Sequence, residues 1–345
     1  MADFLSEYGL FLAKAITLVA AILIVVSGVF AMARGARTHR GEDRLAVKSV
    51  NRRFEHLGDL LNAELLPAHE QKRQHKQRKA EEKRRRKAEK HGSQPPRPRI
   101  FALDFDGDLR ASAVDALREE ISALLQVARK DDEVVLRLES EGGLVHGYGL
   151  AASQLARVRD RGIRLTVAVD KVAASGGYMM ACVADRIIAA PFAILGSIGV
   201  VAQLPNFHRL LQKHDIDFEL HTAGQFKRTL TLFGENNEAG REKFREELED
   251  THALFKSFVT QNRPVLDIEK VATGEHWFGA RAIALKLVDE LKTSDDYLLE
   301  RSRDADIYEL EFRRKQTLTD RLQRGLTRAG FALRDGVERA WSEPA

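Results

Sequence analysis

The chain has 345 residues, of which 44% are hydrophobic, so it can bury a substantial core and is not a disordered protein as a whole. Its single cysteine, Cys182, excludes an internal disulfide framework and a metal site built from several cysteines. Residues 34–99 carry 20 Lys and Arg against 9 Asp and Glu, whereas the rest of the chain carries 35 against 42. The basic balance therefore comes from one segment, which argues against a globular nucleic-acid-binding domain.

A long apolar run near the N-terminus predicts a membrane anchor within residues 1–33. Gly9–Met32 contains one charged side chain, Lys14, and 24 residues in a helix are long enough to cross a hydrocarbon core of about 30 Å. A cleaved signal peptide is the alternative, because Ala31-Met32-Ala33 resembles a cleavage site. The acidic residues Asp3 and Glu7 oppose it, since such peptides begin with a positive region.

A charged spacer and a short linker are predicted over residues 34–99. Arginines directly after the apolar run favour a cytoplasmic location for the chain beyond it. Glu70–His91 has no apolar stripe, which indicates a solvated helix or a disordered spacer. Attraction to anionic lipid headgroups is the sharper alternative, and nucleic-acid binding is not expected because no aromatic residues are interleaved. The prolines of Gly92–Arg99 then mark a linker.

The folded part begins near Ile100 and has an α/β pattern. Apolar strands alternate with helices, which predicts a parallel sheet covered on both faces. The predicted strands are "RIFALDF", "EVVLRLE", "IRLTVAV", "RIIAA" and a short "DFEL", and the predicted helices include 112–130, 144–161, 238–261 and 280–288.

An aspartyl phosphatase is one alternative for this pattern. "FALDFDGDL" places Asp104 and Asp106 after an apolar strand, where a nucleophile and its acid–base partner would bind Mg²⁺. An acidic pair that could complete the metal site, within Ser294–Asp296, stands in a polar turn and not after an apolar strand. The motif therefore lacks its structural context.

Two glycine pairs follow apolar strands and indicate acyl-transfer chemistry. "LESEGG" ends in Gly142 and Gly143, and "KVAASGGYMM" places Ser175 and Gly176 where a strand turns into a helix. Glycines let the backbone approach a ligand and direct its N–H groups outward. These amides predict an oxyanion hole beside a serine nucleophile, although either glycine pair alone would indicate only a turn.

Lys227 is the candidate base for that serine. No His or Asp stands where a familiar catalytic triad would need it, and Lys227 follows Gly224 where the chain leaves the predicted "DFEL" strand. A neutral lysine amine within hydrogen-bond reach of Ser175 would form a Ser–Lys dyad. Taken alone, Lys227 would be interpreted as a solvated loop lysine.

From about Ile100 to Leu291 the chain resembles peptidase family S49, the signal peptide peptidase A group. "AASGGY" is similar to the family's nucleophile motif, and Lys227 follows Ser175 by 52 residues, which resembles the family's separation of nucleophile and base. "GSIGV" is similar as well, and the resemblance implies that Ser197 orients the lysine amine. "EHWFGARAIALKLVDE" resembles a late family motif.

The resemblance implies a fold and a domain plan. The fold would be the Clp protease/crotonase-like α/β fold with repeated ββα units, after a transmembrane helix and a charged spacer. Residues 100–300 would form the protease domain, with its core at 150–300. Residues 1–150 resemble the family's N-terminal region, and residues 301–345 are expected to form a cationic amphipathic tail.

The implied function is a membrane-anchored serine endopeptidase that cleaves unfolded or membrane-derived peptides without a metal or other cofactor. Its implied partners are peptide substrates, membrane lipid at residues 9–32 and further copies of itself, with the lysine able to come from a neighbouring copy. The implied location is the bacterial inner membrane, on the periplasmic side by resemblance and on the cytoplasmic side by charge.

One position departs from the family pattern, which usually has proline where this chain has Glu141. A carboxylate near a developing oxyanion could slow the reaction, so an inactive peptide-binding membrane scaffold is an alternative function. A crotonase-like acyl-CoA enzyme is a further alternative, which the Ser175/Lys227 pairing and the apolar anchor oppose.

Overall fold

The computed structural model describes residues 44–91, 95, 97–224 and 226–313. Contacts group Leu45–Phe312 into one compact unit. The predicted anchor at residues 9–32 and most of the predicted tail lie outside the described residues. Within the part of the chain that the structure describes, no helix combines the length and the apolar character needed to cross a membrane.

The compact unit contains strands and helices in mixed order. The strands are β1 (Arg44–Ser49), β2 (Arg99–Gly107), β3 (Glu133–Ser140), β4 (Arg164–Val169), β5 (Val172–Ala174), β6 (Arg186–Ala189), β7 (Ile194–Gly196), β8 (His276–Phe278), β9 (Glu290–Leu291) and β10 (Asp306–Arg313). The helices are α1 (Val50–Leu65), α2 (Ala68–Lys90), α3 (Val114–Val127), α4 (Val145–Asp160), α5 (Gly176–Ala181), α6 (His208–Lys213), α7 (Glu238–Asn262), α8 (Ile268–Val271), α9 (Gly279–Ala282) and α10 (Ser294–Arg301).

The strands form one sheet with a side branch. The main row runs β1-β10-β2-β3-β4-β6-β9, and its pairs from β10 to β9 are parallel. The branch begins where the end of β3 pairs with β5 at Ser140 and Ala173, and it continues through β7 to the antiparallel β8. Because β3 belongs to both rows, the carboxyl end of β3 and the carboxyl end of β5 lie side by side.

Alternation along the strands builds a core on each face of the sheet, as the sequence predicts. Along β2, Phe101, Leu103 and Phe105 face a core that includes buried side chains of α3, α4 and α5. The intervening residues Ile100 and Ala102 face a smaller core on the other side. This period of two is what a strand buried on both faces requires. The structure is therefore a mixed α/β fold.

Several predicted elements differ from the structure. The "DFEL" strand is wrong, because residues 217–220 are exposed irregular backbone without a strand partner among the described residues. The helix predicted at 280–288 is restricted to α9, after which the chain forms turns. The predicted tail boundary at 301 also differs, since residues 306–313 form β10, which pairs with β2 inside the sheet. Cys182 is a buried free thiol, as expected for a small apolar side chain.

The charged segment forms a helix exposed to solvent. α2 covers Ala68–Lys90, and an ion pair between Arg78 and Asp59 joins it to α1. Gln71 Nε2 donates to the Leu66 carbonyl at 2.8 Å and so supports the turn between the two helices. The solvated-helix interpretation of the charged segment is confirmed for these residues.

A buried carboxyl group on α3 predicts a pH-dependent stability. Glu120 is 5% exposed, its Oε1 accepts the Phe312 N–H at 2.7 Å, and its Oε2 has no partner among the described residues. Burial, reinforced by the nearby Asp104 and Glu311 carboxylates, raises the pKa of Glu120 to about 7. In the pH range between the ordinary carboxyl pKa of 4.5 and this raised pKa, the folded chain therefore binds more protons than the unfolded chain.

The free energy of unfolding is therefore expected to fall as the pH rises through this window. In the wild type, the free energy of unfolding should fall by up to roughly 3 kcal/mol between about pH 5 and about pH 8 because of this group. Glu120→Gln should remove that fall. Urea unfolding of the detergent-solubilised chain measures it, with the exposed neighbour Glu119→Gln as the control. Equal pH slopes for wild type and Glu120→Gln would contradict the prediction.

Candidate active site

Ser175 lies at a strained turn between β5 and α5. Its backbone has φ 51° and ψ −117°, a conformation that residues other than glycine rarely adopt. Two backbone hydrogen bonds hold the turn: the Ser175 N–H donates to the Gly196 carbonyl at 2.8 Å, and the Met179 N–H donates to the Ser175 carbonyl at 2.9 Å. Its Oγ makes no hydrogen bond to any residue that the structure describes. The turn thus presents a half-buried hydroxyl where a reacting group can approach.

The loop after β3 lies directly against this serine. Gly142 has φ +94°, and a β-carbon there would lie 2.7 Å from Ser175 Cβ and 2.8 Å from the Gly176 nitrogen. Only glycine combines that backbone conformation with so close an approach. The structure therefore brings the two glycine motifs of the sequence together, at the adjoining ends of β3 and β5.

The backbone amides around Ser175 are not equivalent. The Gly142 N–H donates to Ser140 Oγ at 3.1 Å. The Gly143 and Gly176 amides donate to no acceptor among the described residues. These two N–H groups are therefore open to an oxygen of a ligand, whereas the Gly142 N–H must first leave Ser140.

A buried network that the sequence did not reveal supports this loop. The Tyr148 hydroxyl donates to the Asp108 carbonyl at 2.8 Å and lies 2.5 Å from Ser140 Oγ. Since the phenol proton is used on Asp108, the Ser140 hydroxyl donates to Tyr148 and accepts from Gly142. The Tyr148 ring also closes the space beside Gly176, where an added β-carbon would lie 2.4 Å from its Cγ. Burial raises the pKa of Tyr148, which keeps this phenol protonated.

Ser197 lies beside Ser175 across the side branch. β5 and β7 are paired with Ala174 opposite Gly196, so the residue after each strand emerges at the same edge. Ser197 has φ 51°, and its N–H donates to the Glu275 carbonyl at 2.6 Å. The structure thus places this predicted site residue next to the candidate nucleophile.

A cleft of about 450 Å³ opens at this edge of the branch. Glu139 and Lys171 form an ion pair across it, with Nζ 2.8 Å from Oε2. The hydrogen bond to Glu139 raises the pKa of Lys171. The residues that line the cleft are Glu139, Glu141, Lys171, Val172, Ala174, Ile194, Ser197 and His276.

Lys227 lies away from these contacts in the single chain. It is exposed, in a turn where its N–H donates to the Gly224 carbonyl at 3.2 Å. No hydrogen bond or ion pair of its side chain to Ser175, Ser197 or another described residue is formed. Among the described residues of one chain, therefore, no hydrogen bond joins the predicted base to the predicted nucleophile.

The phosphatase alternative has no support in the side-chain contacts. Asp104 forms a two-fold hydrogen bond with Arg137 at 2.5 and 2.6 Å, which uses both of its carboxylate oxygens. Ser294, at the start of α10, donates hydrogen bonds from its N–H and its Oγ to the Asp170 carboxylate. Among residues 44–313 as described, no group of three or more His, Cys, Asp or Glu side chains is placed to hold a metal ion.

Comparisons with known proteins identify the family of the chain. A family model described as peptidase family S49 N-terminal matches residues 3–155, and one described as peptidase family S49 matches residues 157–307. A Haemophilus influenzae protein named "Probable protease SohB" is 52% identical over 332 residues, which are 93% of this chain and 93% of that relative. A protein of the same name from Buchnera aphidicola subsp. Schlechtendalia chinensis is 50% identical over 306 residues, 87% of this chain and 100% of that relative.

A solved structure is similar as well, at lower identity. It is a mutant of the "1510-N membrane-bound stomatin-specific protease", 11% identical, with a TM-score of 0.40 over 60% of this chain and 85% of that one. The two family models together span most of the sequence, and the two curated relatives align over nearly its whole length. The chain therefore belongs to peptidase family S49 and is a serine-type peptidase.

Proposed function

We propose that Ser175 is the nucleophile of an endopeptidase that cleaves unfolded or membrane-derived peptides. The observation that carries this proposal is the strained turn at Ser175, φ 51°, against which the Gly142 backbone is packed. In the proposed reaction Ser175 Oγ attacks the peptide carbonyl carbon, the peptide C–N bond breaks, and water hydrolyses the acyl-enzyme. No metal or other cofactor is needed for these steps.

The developing oxyanion would be stabilised by backbone amides. Gly176 and Gly143 supply N–H groups that donate to no other described residue, so they meet the oxygen without breaking a bond. Gly142 can contribute only if the Ser140 hydroxyl turns away from it. The backbone amides on both sides of Ser175 thus support the predicted oxyanion hole, with Gly142 in a supporting position.

Lys227 is proposed as the general base, supplied by a neighbouring copy of the chain. Its side chain is exposed and forms no hydrogen bond or ion pair with Ser175 or another described residue of the same chain, which leaves it free to reach the site of a neighbouring copy. Burial in the assembled site would favour the neutral amine, which takes the proton of Ser175 and returns it to the leaving amine. Ser197, beside Ser175 at the end of β7, would orient that amine.

An exposed apolar arm supports the proposed homo-oligomer. The described part of residues 200–233 contains one short helix, α6, and no strand, yet it carries many large apolar side chains that are exposed in one chain. Exposed apolar patches of this kind mark interaction surfaces, and Lys227 lies within this arm. The exposed apolar residues of the arm are Val201, Leu204, Phe207, Leu210, Ile216, Phe218, Leu220, Phe226, Leu232 and Phe233.

The membrane part of the proposal rests on sequence. Residues 9–32 would anchor the chain in the bacterial inner membrane by a single span. The arginines after the span favour a cytoplasmic protease domain, and the family resemblance favours a periplasmic one. Labelling of a Ser257→Cys variant with a membrane-impermeant thiol reagent in intact cells separates the two, because Ser257 is exposed and Cys182 is buried.

The loop glycine provides a selective test of the site geometry. Gly142→Ala is expected to lower kcat/KM by at least about 100-fold, because the new β-carbon would collide with Ser175 and displace the amides that bind the oxyanion. Gly149→Ala is the control, since nothing lies within 4 Å of a β-carbon at that position. Thermal unfolding checks that both variants fold, and unchanged kcat/KM in a folded Gly142→Ala chain would contradict the assignment.

Hydrolysis of casein by the purified, detergent-solubilised chain tests the whole proposal. Wild type should cleave, whereas Ser175→Ala and Lys227→Ala should not, with folding and oligomer size checked for each. If all three behave alike while assembled, the catalytic proposal fails. The peptide-binding scaffold suggested by Glu141 would then be the better description.

A further inference from the structure

The cleft beside the candidate nucleophile combines an apolar wall with acidic groups. Val172, Ala174 and Ile194 contribute apolar surface, and Glu139 and Glu141 contribute carboxylates. The volume of about 450 Å³ exceeds the space that any single side chain needs. The cleft can therefore hold a long substrate side chain together with part of its backbone.

The charges in the cleft do not cancel. Glu139 is neutralised by Lys171, whose Nζ lies 2.9 and 2.8 Å from its two carboxylate oxygens. Glu141 is exposed and makes no ion pair or hydrogen bond with another residue described in the structure. With His276 counted as neutral, as in the formal charge at pH 7, two carboxylates and one ammonium group leave one uncompensated negative charge, which belongs to Glu141.

The position of Glu141 places that charge close to the reacting atoms. It directly precedes Gly142, whose backbone lies against Ser175. The cleft that Glu141 lines is also lined by Ala174, directly before Ser175, and by Ser197. A substrate side chain that enters the cleft must therefore belong to a residue near the scissile bond.

We propose that Glu141 makes this cleft selective for a basic residue of the substrate. The methylene groups of a Lys or Arg side chain would contact Val172 and Ile194, and the cationic head would pair with the free carboxylate. This inference rests on the proposed function, because it assigns a preference to the same site.

Matched peptides test the preference with the full-length, detergent-solubilised chain. The peptides of one set share a sequence except at a single position, which carries Lys, the uncharged norleucine or Glu. Different sets vary different positions, one after another, on both sides of the scissile bond. At one position we expect kcat/KM for Lys to exceed that for norleucine by about tenfold, the size of a partly exposed charge-assisted contact. Added salt should reduce the ratio.

Two substitutions assign the preference to Glu141. Glu141→Gln keeps the shape of the side chain and should bring the Lys-to-norleucine ratio to about one. Glu141→Lys should reverse the order, so that the Glu peptide becomes better than the Lys peptide. Glu119→Gln, an exposed carboxyl group on α3, is the control and should leave the ratio unchanged.

Binding of the same peptides to the Ser175→Ala chain separates this inference from the proposed hydrolysis. If wild type cleaves the Lys and norleucine peptides equally at every position, the inference is overturned and the proposed function stands. If nothing is cleaved but the Ser175→Ala chain binds the Lys peptide about tenfold more tightly only when Glu141 is present, the inference stands without the hydrolysis. Equal binding in that case overturns both.

Discussion

Ser175→Ala is expected to reduce casein hydrolysis by at least about 10⁴-fold, because it removes the only proposed nucleophile and leaves only the slow direct attack of water, assisted by the amides of the oxyanion hole. The fold should survive. Ser175 is held by its backbone N–H and carbonyl, and alanine keeps both of those hydrogen bonds. Steady-state kinetics on a chain of unchanged oligomer size measure the loss.

A second serine-to-alanine variant serves as the control that separates a loss of catalysis from a general effect of the substitution on folding. Ser153→Ala, on the exposed face of α4, removes a hydroxyl that bonds only to the Gly149 carbonyl in its own helix. It should retain wild-type kcat/KM. If Ser175→Ala also retains activity while folded, another residue is the nucleophile and the strained turn has a structural role only.

Lys227→Ala is expected to cause a loss of similar size, although the side chain of this lysine forms no hydrogen bond or ion pair with a described residue in one chain. Removing the base should leave Ser175 protonated, so kcat falls more than KM rises. Lys130→Ala is the control, because Lys130 is equally exposed but lies in the turn between α3 and β3. A fully active, assembled Lys227→Ala chain would exclude this lysine as the base.

Mixing the two inactive variants tests where the lysine comes from. Co-expressed Ser175→Ala and Lys227→Ala chains would form hybrid sites with an intact serine from one copy and an intact lysine from its neighbour. In a head-to-tail ring with equal amounts of both, about a quarter of the sites should be complete, so about a quarter of wild-type activity returns. Assembled mixtures that stay inactive would show that the dyad does not form between copies.

Local sequence patterns were sufficient for most of the secondary structure in the sheet. The apolar run of β2, one of several that alternate with helices, predicted a strand covered on both faces, and Phe101 and Ala102 do face opposite cores. The residues 217–220 were predicted as a strand for the same local reason, yet they are exposed and irregular. Strand propensity is realised only where a neighbouring strand provides partners, and the described residues provide none there.

The candidate site likewise contains features that the sequence predicted and features that it did not. Small residues after apolar strands were enough to single out Gly142 and Ser175, because a tight turn and a close approach restrict the residue type locally. The support by Tyr148 and the hydrogen bond from Gly142 to Ser140 were not predictable. They depend on residues that meet only when β3, β5 and α4 are packed together.

The sequence was sufficient to predict the parallel α/β sheet, the serine at its strained turn and the glycine loop beside it, since each depends on a short stretch of chain. Tertiary structure alone decided which amides remain open to a ligand, that Glu139 is neutralised by Lys171, and that Lys227 stays exposed in one chain. These three outcomes depend on distances between residues far apart in sequence. Those distances are set by the packing of whole elements and not by local preference.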